Sequence, residues 1–295
     1  MKVVLFCGGF GMRMRDGDSN APKPMAIVGE RPLLWHVMRY YAHFGHTDFV
    51  LCLGYGSVAV KDFFLNYDET RSNDFVLEPG ARELSLFNTD VADWRITFVD
   101  TGLTSPIGER LRRVRRFVEG EPMFMANYAD VLTDASLPDM IERFAASDAV
   151  ASLLAVPPQS THHAVDVGCD GLVTNITPVR DLGHWENGGY FLLRPAIFDE
   201  LNENEDLVED AVVRLARQGR VIAYPYKGYW CPADTVKDRV QLEEMYNRGW
   251  CPWMIWDADR SGGVPSQGVD GGGRSSCGLP PPHTSAHGVG GQARC

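Results

Sequence analysis

Hydrophobic residues in the first part of the chain alternate between short continuous runs and longer helix-type patterns. The runs at 2–7 and 48–54 are almost entirely apolar, which is typical of strands buried on both faces of a parallel sheet. Residues 32–45 and 57–67 have apolar positions at helical spacing, so a helix is predicted after each run. The order strand, helix, strand, helix predicts a parallel sheet with right-handed crossovers.

The rest of the chain continues this alternation after a polar, irregular stretch at 70–94, which predicts a surface excursion with a short hairpin. We therefore predict an α/β fold, a Rossmann-like, mostly parallel twisted sheet with helices on both faces. The further predicted strands are 94–100, 123–130, 149–156, short strands within 164–176, a strand after Gly189 and one near 221–226. The further predicted helices are 108–118, 137–146, 195–203, 207–218 and 235–248.

Composition changes at residue 258, where the chain becomes rich in Gly, Pro and Ser and nearly loses large apolar residues. Such a segment buries too little surface to offset the entropy of ordering. We therefore predict one domain at 1–257 and a disordered tail at 258–295.

The net charge and the cysteine content limit which partners and which compartment are expected. The 295-residue chain has a formal net charge of −11, which argues against nucleic acid or an anionic membrane as a partner. No apolar stretch approaches the ~20 residues of a spanning helix. The seven cysteines form no close-spaced cluster, which favours a reducing compartment over a disulfide framework. We predict a cytoplasmic protein that binds neither nucleic acid nor membrane.

A glycine turn directly follows the first predicted strand, with the sequence Gly8-Gly9-Phe10-Gly11-Met12-Arg13. Glycines let backbone N–H groups approach a phosphate closely, and arginine supplies the charge that such an anion needs. The turn is not the dinucleotide fingerprint, because Met14 occupies the third small position, and no Walker A lysine follows. The pattern favours a phosphate-binding loop over a strand-to-helix turn that merely needs glycine.

Six motifs together resemble the sugar-nucleotide pyrophosphorylases, and most closely the glucose-1-phosphate cytidylyltransferases. The resemblance extends to about Trp256. The motifs are Gly8-Gly9-x-Gly11-x-Arg13, Pro22-Lys23-Pro24-Met25, Phe98-Val99-Asp100-Thr101-Gly102, Gly108-x-Arg110-Leu111, Asn187-Gly188-Gly189 and Trp230-x-Pro232-x-Asp234-Thr235.

The resemblance implies a nucleotide-diphospho-sugar transferase fold and an activity. A sugar 1-phosphate oxygen would attack the α-phosphorus of a nucleoside triphosphate and release pyrophosphate, with Mg²⁺ as cofactor. The implied substrates are CTP and α-D-glucose 1-phosphate, and the implied product is CDP-glucose. The resemblance also implies a homo-oligomer, for which the segment 70–94 is a candidate contact surface.

Roles for individual residues follow from the same resemblance. Arg13 and Lys23 would be catalytic, and Asp130 and Asp234 would coordinate the metal. The nucleotide would be held by Phe6, Gly8, Gly9, Gly11, Ser105, Arg110 and Ala129, and the sugar by Arg180, Glu186, Asn187 and Gly188.

Simpler structural interpretations stay open for several of these residues. Lys23 could be a solvated loop lysine, and Asp234 could cap the helix that begins near Thr235. Residues 186–189 could be a turn before a strand. In the basic helix 108–118, only Arg110 is expected to point inward, while the other arginines form a solvated face.

The sequence also departs from the family. Met12 replaces a common threonine, and Ala129-Asp130-Val131 replaces a Gly-Asp-Gly. The stretch 176–180 lacks the lysine that binds the sugar phosphate in relatives, so Arg180 is the candidate substitute. Three functions therefore stay open: the cytidylyl transfer, the same reaction with another nucleotide or sugar, and a non-catalytic relative that binds a nucleotide or nucleotide-sugar.

Overall fold

The computed structural model describes residues 1–9, 22–80 and 82–261. Gly11 and Arg13, which are two predicted site residues, lie outside the described residues, as does most of the predicted tail. The division at residue 257 stays a prediction, although residues Ala258–Ser261 form a short helix.

Most predicted elements are present, with the following bounds. The strands are β1 Lys2–Phe6, β2 Ile27–Val28, β3 Arg31–Pro32, β4 Asp48–Leu53, β5 Phe75–Glu78, β6 Glu83–Leu86, β7 Arg95–Asp100, β8 Phe124–Asn127, β9 Val131–Thr133, β10 Ala151–Val156, β11 His163–Val167, β12 Val173–Pro178, β13 Glu186–Leu193, β14 Val221–Pro225 and β15 Trp230–Pro232. The α-helices are α1 Leu33–His43, α2 Ser57–Leu65, α3 Ile107–Val118, α4 Leu137–Ala145, α5 Val213–Arg217, α6 Val236–Asn247 and α7 Ala258–Ser261.

Seven strands within the described residues form one sheet in the order β14-β10-β13-β8-β1-β4-β7. Strand β1 is parallel to β4 and β8, β4 is parallel to β7, and β10 is parallel to β14. Only β13 runs antiparallel to both of its neighbours in this sheet. The predicted mostly parallel α/β fold is confirmed, and the parallel strands end along one edge, where such sheets bind ligands.

Helices cover both faces of the sheet. Successive side chains of a strand point to opposite faces, so each strand contributes residues to two cores. Val3 and Leu5 of β1 pack in one core with α1, α4 and α6. Val4 and Phe6 pack in the second core with α3 and the segment 207–215. No helix within 1–9, 22–80 and 82–261 is long and apolar enough to cross a membrane.

Two predicted helices were wrong in type. The helix expected at 195–203 is only a 3₁₀ segment, Pro195–Asp199. The helix expected at 207–218 begins as a π-helix, Leu207–Val212, and becomes α-helical only in α5. The predicted strand 123–130 ends at Asn127, and the ribbons β2–β3 and β9–β15 were not predicted. Strands of two or three residues are too short for a hydrophobic period to appear.

Helix α1 contains a buried histidine that should make stability depend on pH. His36 is 2% exposed, and its Nε2 lies 3.0 Å from the carbonyl oxygen of Val28. Burial lowers the pKa of His36 to about 4. The folded protein therefore holds this ring neutral at a pH where the unfolded chain, with a pKa of about 6.5, takes up a proton.

Stability is therefore expected to fall as pH decreases from about 6.5 to 4, with His36 contributing about 3 kcal/mol of the loss. Urea unfolding at several pH values in this range measures the effect. The variant His36→Gln should show a shallower pH dependence, whereas the control His163→Gln, at an exposed position, should retain the wild-type slope. Equal slopes for wild type and His36→Gln would contradict this prediction.

Candidate active site

A short antiparallel ribbon brings together two aspartates that are distant in the sequence. Strand β15 pairs with β9 so that Pro232 lies opposite Val131. The N–H of Ala233 donates to the carbonyl oxygen of Asp130 at 3.0 Å. Asp130 and Asp234 therefore flank the same end of the ribbon, next to the carboxyl edge of the main sheet.

Lys23 joins the two aspartates. Its Nζ is 2.6 Å from Oδ2 of Asp130 and also donates a hydrogen bond to Oδ1 of Asp234. The lysine lies in a one-turn 3₁₀ segment, Lys23–Met25, in which the N–H of Met25 donates to the carbonyl of Pro22. The Lys23 side chain is only 14% exposed, so the interpretation as a solvated loop lysine is wrong.

The charges of this cluster depend on one another. Burial alone would lower the pKa of Lys23, but the carboxylates of Asp130 and Asp234 outweigh it and raise that pKa above its ordinary value. Burial and the nearby Asp234 raise the pKa of Asp130, against the opposing effect of Lys23. The site therefore holds a protonated ammonium between two carboxyl groups.

The same pair of carboxyl groups fits a magnesium ion. Mg²⁺ prefers oxygen ligands and is commonly held by one or two carboxylates together with substrate phosphates. The described part of the chain contains no group of three or more His, Cys, Asp or Glu side chains that could hold a metal ion by themselves. A cation at Asp130 and Asp234 would therefore need further ligands from a substrate.

Asp234 is not needed to cap the helix that follows it. The N-cap of α6 is Thr235, whose side chain accepts from the N–H of Asp238. The carboxylate of Asp238 accepts in turn from the N–H of Thr235 at 2.8 Å, which completes a capping box. The Asp234 side chain therefore has no capping role; it accepts from Lys23 and is 55% exposed, so a ligand can reach it.

The residue before Asp130 has an unusual backbone. Ala129 is fully buried with φ +64°, in the left-handed region that favours glycine. Its N–H donates to Oδ1 of Asn127 at 2.7 Å, which holds the turn after β8. This conformation gives a physical reason for the glycine that the Gly-Asp-Gly motif of the family resemblance has at this position.

The variant Ala129→Gly is expected to raise the free energy of unfolding by about 0.5–1 kcal/mol. Relief of the left-handed strain outweighs the extra flexibility of glycine in the unfolded chain. Urea unfolding measures the difference. The control Ala126→Gly, in the middle of buried β8, should instead lower stability. A loss of stability in both variants would contradict the prediction.

The predicted sugar-binding stretch runs beside Asp130. Gly189, at φ +77°, accepts from the N–H of Tyr128 at 3.4 Å, and Trp230 Nε1 donates to the carbonyl of Gly188 at 2.9 Å. Asn187 Nδ2 donates to the Tyr128 hydroxyl at 3.2 Å, and its Oδ1 accepts from the N–H of Gly189 at 3.0 Å. Residues 186–189 are the first four residues of strand β13, so the interpretation as a turn before the strand is wrong, and contact with a sugar stays a prediction.

The other two predicted sugar ligands are exposed. Glu186 lies at the start of β13. Arg180 follows the hairpin β11–β12 and has a 58% exposed side chain, with Asp181 at 3.9 Å. Within the described residues, no hydrogen bond or ion pair joins Arg180 to the Lys23 cluster, so its role toward a sugar phosphate stays a prediction.

Apart from Gly11, which lies outside the described residues, the predicted nucleotide residues lie at or near the carboxyl edge of the sheet. Phe6 ends β1 with its ring centroid 6.4 Å from that of Tyr128, which precedes Ala129. Gly8 is buried, Gly9 is exposed and Ser105 is half-buried after β7. Arg110 is 2% exposed, pointing inward as predicted. Tyr128 was not singled out from the sequence, since one tyrosine after a strand carries no distinctive pattern.

Comparisons with known proteins give the family of the chain. No protein-family model matches the chain. The glucose-1-phosphate cytidylyltransferase of Salmonella typhimurium is 32% identical over 258 residues, covering 87% of this chain and 100% of that protein. The "Probable glucose-1-phosphate cytidylyltransferase" of Bacillus subtilis is 31% identical over 258 residues, with the same coverage. The UTP-bound UGPase of Acinetobacter baumannii has TM-score 0.61 and 22% identity, covering 83% of this chain and 92% of that one.

The fold, with a basic and acidic cluster at the carboxyl edge of its sheet, is that of a nucleotidyltransferase. The sequence relatives identify the family within this class. The chain belongs to the glucose-1-phosphate cytidylyltransferase family and is an enzyme that transfers a nucleotidyl group to a sugar 1-phosphate. The family resemblance drawn from the sequence motifs is confirmed.

Proposed function

We propose that this enzyme transfers the cytidylyl group of CTP to α-D-glucose 1-phosphate and forms CDP-glucose and pyrophosphate. The observation that carries the proposal is the contact of Lys23 with both Asp130 and Asp234 at the carboxyl edge of the sheet. The substrates are those in the names of the sequence relatives.

The site must bring two polyanions together, so positive charge has to offset their repulsion. Asp130 and Asp234 would hold Mg²⁺, which when bound neutralises charge on phosphate oxygens. Lys23 would then donate to the reacting phosphates, with Pro22 and Pro24 fixing the backbone on either side of it. Arg13 would stabilise the pyrophosphate leaving group.

The two substrates would lie on opposite sides of this cluster. Asn187 and Gly188 lie beside the Asp130 loop and would line the sugar pocket with Glu186 and Arg180. The nucleotide would occupy the ends of β1 and β7. Its binding set would be Phe6, Gly8, Gly9, Gly11, Ser105, Arg110 and Ala129.

We also infer a cytoplasmic homo-oligomer. The hairpin β5–β6 exposes several apolar side chains, among them Phe75 at 41% and Leu77 at 57%. Exposed apolar patches of this kind are typical of protein–protein contacts. Sedimentation velocity tests the assembly, and Leu77→Asp should reduce it, whereas a monomeric wild-type enzyme would overturn it.

A pyrophosphate-release assay tests the reaction. Each nucleoside triphosphate is combined with a panel of sugar 1-phosphates in the presence of Mg²⁺. Release that is strongest with CTP and glucose 1-phosphate supports the proposal. Release that prefers another pair overturns the assigned substrates, and nucleotide binding without release from any pair identifies a non-catalytic binder.

The stretch 176–180 is a reason to test several sugar 1-phosphates in the assay. The stretch 176–180 lacks a lysine, and the Arg180 side chain is exposed beside Asp181. The sugar panel should therefore include mannose 1-phosphate and galactose 1-phosphate, which differ from glucose 1-phosphate in the orientation of one hydroxyl.

A further inference from the structure

The buried side chain of Arg110 contacts Gly8, the first residue of the predicted glycine turn (the glycine loop). Arg110 Nη1 donates to the carbonyl of Leu53 at 3.2 Å and to Oγ1 of Thr101 at 2.9 Å. Its Nη2 donates to the carbonyls of Gly8 at 3.0 Å and Leu103 at 3.3 Å. All four N–H bonds of the two terminal nitrogens are therefore used within the protein.

These acceptors belong to three neighbouring strand ends. Gly8 follows β1, Leu53 ends β4, and Thr101 and Leu103 follow β7. Thr101 Oγ1 itself donates to the carbonyl of Leu53 at 2.8 Å, which connects the last two segments a second time. A single guanidinium thus fixes the spacing of three adjacent segments at the carboxyl edge.

Two glycines make room for this guanidinium. A Cβ on Gly8 would lie 2.1 Å from Arg110 Nη1, and a Cβ on Gly54 would lie 2.8 Å from it. Neither distance is compatible with a side chain at those positions. The first glycine of the loop is thus required for contact with Arg110, in addition to any contact with a phosphate.

Among the residues that the structure describes, no carboxylate is hydrogen-bonded to the guanidinium of Arg110. Its hydrogen-bond acceptors are three carbonyl oxygens and one hydroxyl. Neighbouring Glu109 instead pairs with Arg112 at 2.8 Å and Arg113 at 2.9 Å. Dipoles therefore supply these four acceptors, and Asp100 is a nearby carboxylate that acts on the charge of Arg110 without a hydrogen bond to it. The positive charge lies beside the ends of β1, β4 and β7, where it would attract a polyanion.

We propose that Arg110 is a positioning residue for the nucleoside triphosphate: it fixes the segments at Gly8, Leu53 and Leu103 and holds a fixed positive charge beneath the triphosphate. The inference rests on the proposed nucleotidyl transfer and deepens it. It replaces the direct contact with the nucleotide that the family resemblance implies for Arg110, since the terminal N–H groups already have protein acceptors.

The control for this test is a variant that loses similar arginine-to-carbonyl hydrogen bonds away from the carboxyl edge of the sheet. Arg194 supplies one, because its guanidinium also donates to three carbonyls, those of Ala149 at 2.5 Å, Ser147 at 2.8 Å and Phe144 at 3.3 Å. These acceptors precede β10 or lie in α4, at the opposite edge of the sheet. Arg194→Met therefore removes the same kind of hydrogen bond as Arg110→Met, but at the opposite edge of the sheet.

The measurements are KM for each substrate in pyrophosphate release and the dissociation constant of CTP by calorimetry. Arg110→Met is expected to weaken nucleotide binding about tenfold or more, with little change in KM for the sugar 1-phosphate. Arg110→Lys should recover part of the loss. Thr101→Val, which removes one acceptor, should shift the same nucleotide constants by a smaller amount and serves if Arg110→Met does not fold.

Arg194→Met should lose stability without a change in nucleotide binding. Equal shifts in the Arg110 and Arg194 variants, or a shift in the sugar phosphate KM alone, would overturn the positioning role. If the wild type binds CTP but releases no pyrophosphate, the proposed reaction fails while calorimetry still decides the role of Arg110. If the wild type binds no nucleotide, both proposals are overturned.

Discussion

Lys23→Met is expected to lower turnover about 10²–10³-fold, because it removes the charge that Lys23 would direct at the reacting phosphates in the proposed reaction. Lys23 is the residue that contacts both acidic groups of the site, and its Nζ lies 2.6 Å from Asp130 Oδ2. Methionine keeps most of the length and apolar volume of the side chain without its ammonium. The measurement is kcat for pyrophosphate release at saturating substrates.

The fold of Lys23→Met has to be checked separately, since the substitution leaves Asp130 and Asp234 without their shared partner. Circular dichroism at the assay temperature should show a folded protein. The control Lys237→Met removes a lysine from an exposed position just after Asp234 and should retain wild-type turnover. A folded Lys23→Met enzyme with full activity would remove Lys23 from the catalytic site.

The long periodic segments explain why most of the fold could be predicted. The buried run at 2–7 and the helix at 32–45 each carry a clear period, and the structure has β1 and α1 there. The ribbon β9–β15 could not be predicted, because each strand has three residues. This ribbon brings Asp130 to Asp234, so their proximity could not be predicted from local patterns, although the family motifs include both aspartates.

The contact between Gly8 and Arg110 could not be predicted from the sequence. The glycine pattern predicts that the backbone at Gly8 approaches a phosphate closely, and that contact stays a prediction. In the structure the missing side chain of Gly8 makes room for Arg110, a residue of α3. The inward direction of Arg110 was predictable from the helical period, but the identity of its acceptors was not, because they come from three separate strand ends.

Asp130→Asn and Asp234→Asn are each expected to reduce turnover about a hundredfold or more. Each substitution removes one of the two negative charges that would hold Mg²⁺, whose charge stabilisation is worth several kcal/mol. The reduction should be larger for Asp130, because its side chain is 18% exposed and that of Asp234 is 55% exposed, so less solvent is available to substitute for it. Turnover is measured across a range of Mg²⁺ concentrations.

Binding of Mn²⁺, measured by calorimetry with CTP present, separates a metal role from a structural one. Both single variants should bind the metal more weakly, and the double variant should be little worse than either one in turnover, since one ligand of a shared ion is of little use without the other. Asp238→Asn, in the capping box of α6, should lower stability but not metal affinity. Unchanged Mn²⁺ affinity in both single variants would show that the two carboxylates serve only to hold Lys23.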